Sequence, residues 1–349
     1  MTPPDASRGS TSACPACGAV IIAGDRFCEG CGGELPATAT DAETPLPSDR
    51  APVAPGAQGV APTAPGGCVG CGGRAWADGY CTQCGLKQPD PHDHVEVDLG
   101  WAAGVTDRGL RHAHNEDDMF LAAPHRGMAI AVVCDGVSSS SNAAAAAAAA
   151  VHAAGPQLLE HAGRDARQAL VQAAASAQDA VLGVPPLGGG DAPSCTFVGL
   201  VLHDGGVTVG WLGDSRAYWL GAGQAVRLTT DHSWAADQVA AGVLTPSQAE
   251  AQDAAHGITR WLGTDAPDVL PSIVHFDLPD AGSVVVCSDG LWNYASSAER
   301  IGSLLDELPA GATALDRARR LTSFARDSGG HDNITVVVLT ATATDEGTS

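Results

Sequence analysis

Four apolar, strand-like runs in this chain each abut an acidic residue: MAIAVVCDG at 128–136, VTVGWLGDS at 207–215, SVVVCSDG at 283–290 and HDNITVVVL at 331–339. Three carry the acid at the C-terminal end and one just before the strand begins. A carboxylate at the edge of a buried strand is costly unless its charge is compensated, and four at equivalent positions point to a shared cation. Asp135, Asp214, Asp289 and Asp332 are therefore the residues any fold must account for, together with Glu116 and Asp117 in RHAHNEDD.

The chain has 349 residues, 44% of them hydrophobic, enough for one sizeable core plus smaller modules. A formal charge of −22 disfavours nucleic acid and anionic membranes as partners, since phosphate surfaces select basic faces. The N-terminus lacks a basic region followed by an apolar stretch. The most apolar run, Ala143 to Val151, falls well short of the roughly 20 residues needed to span a bilayer. A cytoplasmic protein is expected.

Cysteine spacing divides the first quarter of the chain. Cys14 and Cys17 pair with Cys28 and Cys31, then Cys68 and Cys71 pair with Cys81 and Cys84, each couple in the form C-x-x-C. Such turns present two thiolates to one ion, and two turns complete a tetrahedral Cys₄ site, so the spacing predicts two zinc ribbons at 12–35 and 67–88, each holding one structural Zn²⁺. Redox-active dithiols would call for a thioredoxin-like βαβ setting, which is absent. The C-x₅-R match at Cys68 to Arg74 lacks the strand-to-helix turn that a thiolate phosphatase needs. The segment 36–66, rich in Pro, Ala and Gly, reads as a flexible linker. Residues 1–91 carry five basic and nine acidic side chains, which favours protein contacts over DNA contacts.

From about Val95 the pattern changes to short β-branched runs with tight turns between them. Strands are expected at 97–105, 128–134, 196–202, 207–212, 217–220, 226–228, 272–276, 284–287 and 334–339, and helices at 140–162, 165–182, 233–241, 297–305 and 313–327. Helices interrupt hairpin groups instead of alternating with strands, so a layered α+β domain over 95–342 is expected, not a doubly wound parallel sheet. Its acids suit hard divalent ions, which prefer oxygen ligands and phosphate chemistry.

The ordered series TDRGLRHAHNED (106–117), VVCDG (132–136), SCTFVGLVL (194–202), WLGDSRAYWL (211–220), LTTDHSW (228–234), VVCSDGLWNYAS (285–296) and GHDNITVVVL (330–339) resembles the metal-dependent protein serine/threonine phosphatases of the 2C type, in their bacterial form. The resemblance runs from about Val97 to Thr340, with Gly242 to Asp265 resembling that family's flap. It implies a four-layer α/β/β/α sandwich with two Mn²⁺ or Mg²⁺ ions at one end, and in-line attack on phosphoserine or phosphothreonine by a water they activate. Asp135 would bridge the ions, Asp289 and Asp332 would hold one, and Glu116 with the Gly136 carbonyl the other. Asp117 would orient bound water, and Asp214 would serve a possible third metal. Phosphorylated proteins, including a Ser/Thr kinase or its substrates, would be the partners.

Four positions depart from the family pattern. The phosphate-holding arginine expected four residues before Glu116 is His112, with Arg111 beside it as the candidate. Ser138 and Ser139 replace a glycine pair, and Asn293 stands where a further acid is common. His112 and His114 are of the residue type that can donate a proton near neutrality, but they read better as exposed loop histidines. Trp211, Trp219, Cys134 and Cys287 read as core. A catalytically inactive scaffold would be marked by a lost ligand acid, and all five core acids are present. A zinc-ribbon adaptor for nucleic acid is disfavoured by the acidic N-terminal region.

Overall fold

In the computed structural model the described residues are 12–13, 20–21, 71–73, 76–77, 80–85, 90–187, 191–203, 205–221, 223–250, 252, 254–255, 257–279 and 281–341. The chain divides into two compact units, Met1–Gly56 and Ala57–Ser349. In the first, β1 (Ser12–Ala13) pairs antiparallel with β2 (Val20–Ile21). In the second, β3 (Trp76–Ala77) pairs with β4 (Tyr80–Cys81) ahead of the main domain. Cys14, Cys17, Cys28, Cys31, Cys68 and the expected linker at 36–66 lie outside the described residues.

The main domain follows in the order β5 (His94–Asp98), β6 (Ala102–Asp107), β7 (Asp117–His125), β8 (Met128–Asp135), α1 (Ala143–His161), α2 (Ala166–Leu182), β9 (Ser194–Cys195), β10 (Phe197–His203), β11 (Gly206–Leu212), β12 (Arg216–Gly221) and β13 (Gln224–Arg227). After these come α3 (Trp234–Ala240), α4 (Pro246–Glu250), β14 (Leu262–Gly263), β15 (Ser272–Asp277), β16 (Gly282–Cys287), α5 (Asp289–Trp292), α6 (Ala298–Asp306), α7 (Ala314–Asp327) and β17 (Ile334–Ala341). Two large antiparallel sheets result, one of five strands in the order β15-β11-β10-β8-β7 and one of six in the order β13-β12-β16-β17-β6-β5, and β9 pairs antiparallel with β14 in a third.

Strand alternation assigns the core. In β8, Ala129, Ala131 and Val133 join residues of the other sheet such as Val286 and Val337, while Ile130, Val132 and Cys134 join α1 and α2. Likewise Val284 and Val286 of β16 face the five-stranded sheet, and Val285 and Cys287 face α5 to α7. A period of two that is apolar on both sides marks strands buried on both faces. Trp219 and Cys134 are fully buried, as expected of core residues. Small side chains let α1 and α2 settle closely, with Ala146, Ala150 and Ala154 on one and Ala169, Ala173 and Ala177 on the other. Helix α7 starts in a capping box, Thr313 accepting from Asp316 N–H while the Asp316 carboxylate accepts from Thr313 N–H.

Three features differ from the sequence expectation. The single strand expected at 97–105 is a hairpin: Asp98 Oδ1 accepts from Gly100 N at 2.9 Å, and Gly100 takes φ +82° to turn β5 into β6. Strand β7 was not expected, because it opens on two acids, contains Pro124 and carries a register shift between Ala122 and His125. An edge strand tolerates all three. The short helices α4 and α5 were also not expected, α5 because it begins directly on Asp289.

Candidate functional site

The ends of β8, β11 and β16 and the start of β17 meet at one end of the two sheets, and a cleft of about 480 Å³ opens there. Asp135, Asp214, Asp289, Asp332 and Gly136 line it together. The four acids that the sequence sets far apart therefore share one cavity. Asp135 is the last residue of β8, where Thr196 Oγ1 accepts from its N–H at 3.1 Å and Thr196 N–H donates back to its carbonyl at 2.7 Å. Gly136 N–H donates to the Glu116 carbonyl at 3.1 Å, and a Cβ at 136 would lie 2.8 Å from that oxygen and 2.9 Å from Ala143. Only glycine permits this closeness.

Asp117 lies opposite Asp135 in the β7–β8 register. Ser288 Oγ donates to Asp117 Oδ2 at 2.7 Å, and Thr335 N–H donates to Ser288 Oγ at 3.0 Å. Glu116 is fixed through its backbone, its N–H donating to Asn333 Oδ1 at 2.8 Å. The same buried carboxamide donates from Nδ2 to the carbonyls of Arg108 and His114 at 2.8 and 3.0 Å, so Asn333 clasps the 108–116 loop to the start of β17. Asp332 lies just before Asn333 at the start of β17, and Asp332 Oδ1 is 3.2 Å from His112 Nε2. The remaining candidate, Arg111, is exposed and does not line the cleft, and His114 is exposed as well.

Electrostatically the cluster is unbalanced. Burial pushes Asp135 far above the usual carboxylate range, and the charges of Asp117, Asp289, Asp332 and Asp214 add to the rise. Asp289 is raised in the same way, by burial first and then by Asp332. Burial also lifts Asp117 to about 7 against the opposing Ser288 hydrogen bond, and Asp214 to about 6 with Asp231 contributing next. Glu116 is raised by burial. Carboxylates crowded this way cannot all ionise unless positive charge arrives. No Lys, Arg or His lines the cleft among the described residues. Asp289 Oδ2 accepts from Asn293 Nδ2 at 3.2 Å, whereas its Oδ1 is sealed from water with no hydrogen-bond partner, an orphan acceptor that a divalent cation would satisfy. The oxygen donor set thus fits hard divalent ions.

Asp214 is held differently. Gly213 (φ +104°), Asp214 and Ser215 form the β11–β12 connection, which is fastened by the next residue: Arg216 chelates Asp231 through Nε–Oδ1 at 2.9 Å and Nη2–Oδ2 at 2.6 Å. Its guanidinium also lies 3.7 Å over the Trp292 ring and donates to Ser296 Oγ at 2.9 Å. Sequence reasoning passed over Asn333, Ser288, Thr196 and Arg216, although each is a polar residue set beside an apolar strand, which was the available signal.

Elsewhere, the ligand atoms of Cys71, Cys81 and Cys84 lie within 4.8 Å of one another, the one such group of three among the described residues. The site acids are spread more widely than these thiols. No helix among the described residues is long and apolar enough to cross a membrane.

Known proteins resemble this chain. PhpP of Streptococcus pneumoniae is 31% identical over 140 residues, which is 40% of this chain and 55% of that protein; the chain thus spans about half the length of this curated relative. A serine/threonine phosphatase of S. agalactiae superposes with a TM-score of 0.59 over 69% of this chain and 98% of its own, at 24% identity. The catalytic domain of PstP, solved with two manganese ions, superposes with a TM-score of 0.56 over 69% and 97%, at 26% identity. The sequence model described as Protein phosphatase 2C matches residues 108–326, a span from the loop clasped by Asn333 to α7 that takes in the whole five-stranded sheet, β12, β13 and β16 of the other and every cleft acid except Asp332, and by that match the chain belongs to the protein phosphatase 2C family.

Proposed function

We propose that the cleft hydrolyses phosphoserine and phosphothreonine esters on proteins, with two Mn²⁺ or Mg²⁺ ions held by Asp135, Asp289, Asp332, Glu116 and the Gly136 carbonyl. The observation that carries this reading is the cluster of mutually destabilised carboxylates, with the orphan Asp289 Oδ1, in a cleft without a cationic side chain. When bound, divalent ions there supply positive charge to phosphoryl oxygens and lower the pKa of coordinated water. Asp135, whose ionisation is opposed by the charges of Asp117, Asp289, Asp332 and Asp214, would be the side chain that serves both ions. Asp117, buried and gripped by Ser288, would be a positioning residue that orients a water beside Asp135. Asn333 keeps Glu116 in reach, and the Arg216–Asp231 pair fastens the connection that carries the buried Asp214, which would serve a third ion. Arg111 is the candidate for steering phosphate toward the cleft from outside.

The α/β/β/α layering belongs to the same reading and is supported by the three hydrophobic clusters, one between the sheets and one under each helical layer. We assign a structural Zn²⁺ to each ribbon. For the second, the three gathered thiols support the assignment, with Cys68 as the fourth ligand. The ribbons would recruit or orient protein partners, a Ser/Thr kinase or its substrates among them, in the cytoplasm.

Purified protein should hydrolyse p-nitrophenyl phosphate and a phosphothreonine peptide with Mn²⁺. Asp135→Ala or Asp289→Ala should lower turnover by more than about a hundredfold, the scale of losing a few kcal/mol of transition-state stabilisation. Turnover independent of divalent metal, or full activity in both variants, would refute this mechanism.

A further inference from the structure

The cleft continues beyond the acids that would hold metal. Asp191, Trp261 and Asp265 also line it, so six of its side chains are carboxylates. Two divalent ions would bring four positive charges to the inner acids and the phosphoryl oxygens, with none to spare for the outer carboxylates. These would keep their negative charge.

One of them is presented in a particular way. Trp261 Nε1 donates to Asp265 Oδ1 at 3.0 Å, which fixes a carboxylate at the edge of an indole that is only half-buried. Asp265 is exposed and forms no ion pair among the described residues. The neighbouring cation, Arg260, is engaged elsewhere: Nη2 donates to Asp268 Oδ2 at 2.7 Å and Nη1 to Ser272 Oγ at 3.2 Å. An indole face with a carboxylate at its rim suits a guanidinium or ammonium group, which gains a cation–π contact and charge-assisted hydrogen bonds together. The molecule already uses this combination internally, where Arg216 lies over Trp292 while chelating Asp231. At the cleft the same pair of side-chain types faces solvent with no arginine in place.

We infer that the cleft selects phosphopeptides bearing an arginine or lysine close to the phosphoresidue, with Trp261 and Asp265 as the side chains that read it. The inference rests on the phosphatase reading and adds its substrate class. Acidic flanking residues are rejected, because Asp191 and Asp265 repel them at a rim that offers no cation.

The test uses the full chain with Mn²⁺ and phosphothreonine peptides that carry a single Arg, Ala or Glu at each position flanking the phosphate. At the best position kcat/KM should fall in the order Arg, Ala, Glu, with Arg exceeding Ala by about three- to thirtyfold, mainly through KM and less so at high salt. The ratio of Arg to Ala peptide within one protein is the readout. Asp265→Asn and Trp261→Leu should bring it toward one, and Asp265→Lys should place Glu above Arg. Equal rates for the three peptides in the wild type, or an Arg preference retained in all three variants, would overturn the inference. Failure to hydrolyse p-nitrophenyl phosphate with Mn²⁺ would instead overturn the phosphatase reading beneath it.

Discussion

Removing either partner of the Arg216–Asp231 pair should be among the most damaging single changes away from the cleft acids. Both side chains are nearly sealed from water, at 6% and 12% exposure, and the guanidinium is held by two Asp231 oxygens, Ser296 Oγ and the Trp292 face. Burial alone would discourage the charge on Arg216, and the Asp231 hydrogen bonds, together with Tyr218 and the Asp231 charge, more than offset it. Asp231→Ala therefore strands a buried cation, at a cost of about 3–5 kcal/mol. Arg216→Met strands the carboxylate, which Arg227 Nη1 only partly relieves from 3.7 Å. The double variant Arg216→Met/Asp231→Leu leaves no uncompensated charge and should regain most of the loss, because an apolar pair is often as stable as a buried ion pair. Urea unfolding in EDTA, which removes the contribution of bound metal, should show the single variants shifted by at least 1 M if m is about 3 kcal/mol/M. A loss below about 1 kcal/mol in both single variants, as for an exposed pair, would refute the argument. So would a double variant no more stable than the worse single.

Gly290→Ala would drive a Cβ into the Asn333 carbonyl, a backbone atom that cannot swing aside, and should cost about 3 kcal/mol in urea unfolding and reduce activity by disturbing Asp289 and Asp332 together. His232 is pushed down to about 4 by burial first and Arg260 next, while stacked on Trp211. Because its folded pKa lies below the unfolded 6.5, its contribution is complete above pH 6.5 and is lost as pH falls toward 4. With allowance for a ring that is partly solvated, wild type should lose about 1 kcal/mol more than His232→Gln between pH 7.5 and 4.5. Freshly reduced protein should contain two zinc ions per chain by elemental analysis, and Cys84→Ser should lower the content by about one; substantially fewer than two in the wild type would refute paired ribbons.

What could be read from the sequence follows a physical division. Asp135, Asp289 and Asp332 were visible because a charge beside an uninterrupted β-branched run has few structural explanations. The two-sided burial of β8, β16 and β17 was visible in the same runs. Strand β7 was hidden because an edge strand can carry acids, a proline and a bulge, and so loses its periodicity. Asn333 and Ser288 were hidden for another reason: their importance lies in hydrogen bonds to residues about 170 to 225 positions away, and no local pattern encodes a partner at that range. His112 illustrates the converse. Its motif position could be compared with an arginine, but only the folded chain puts its ring against Asp332.

The bond from Ser288 to Asp117 joins the two sheets at the end of an interface whose centre is apolar, and Thr335 and Thr106 extend it, Thr335 Oγ1 donating to Thr106 Oγ1 at 2.7 Å. Apolar layers resist separation but tolerate sliding, since dispersion contacts have little directionality. A short, buried hydroxyl–carboxylate bond tolerates neither. It acts as a dowel between two stacked plates, and it is set at the end where the acids of both plates must meet. Trimming Val133 or Val337 in the middle of the interface should therefore loosen the stack while leaving the acids aligned, whereas Ser288→Ala should let the plates shift by the fraction of an ångström that matters at the cleft and nowhere else.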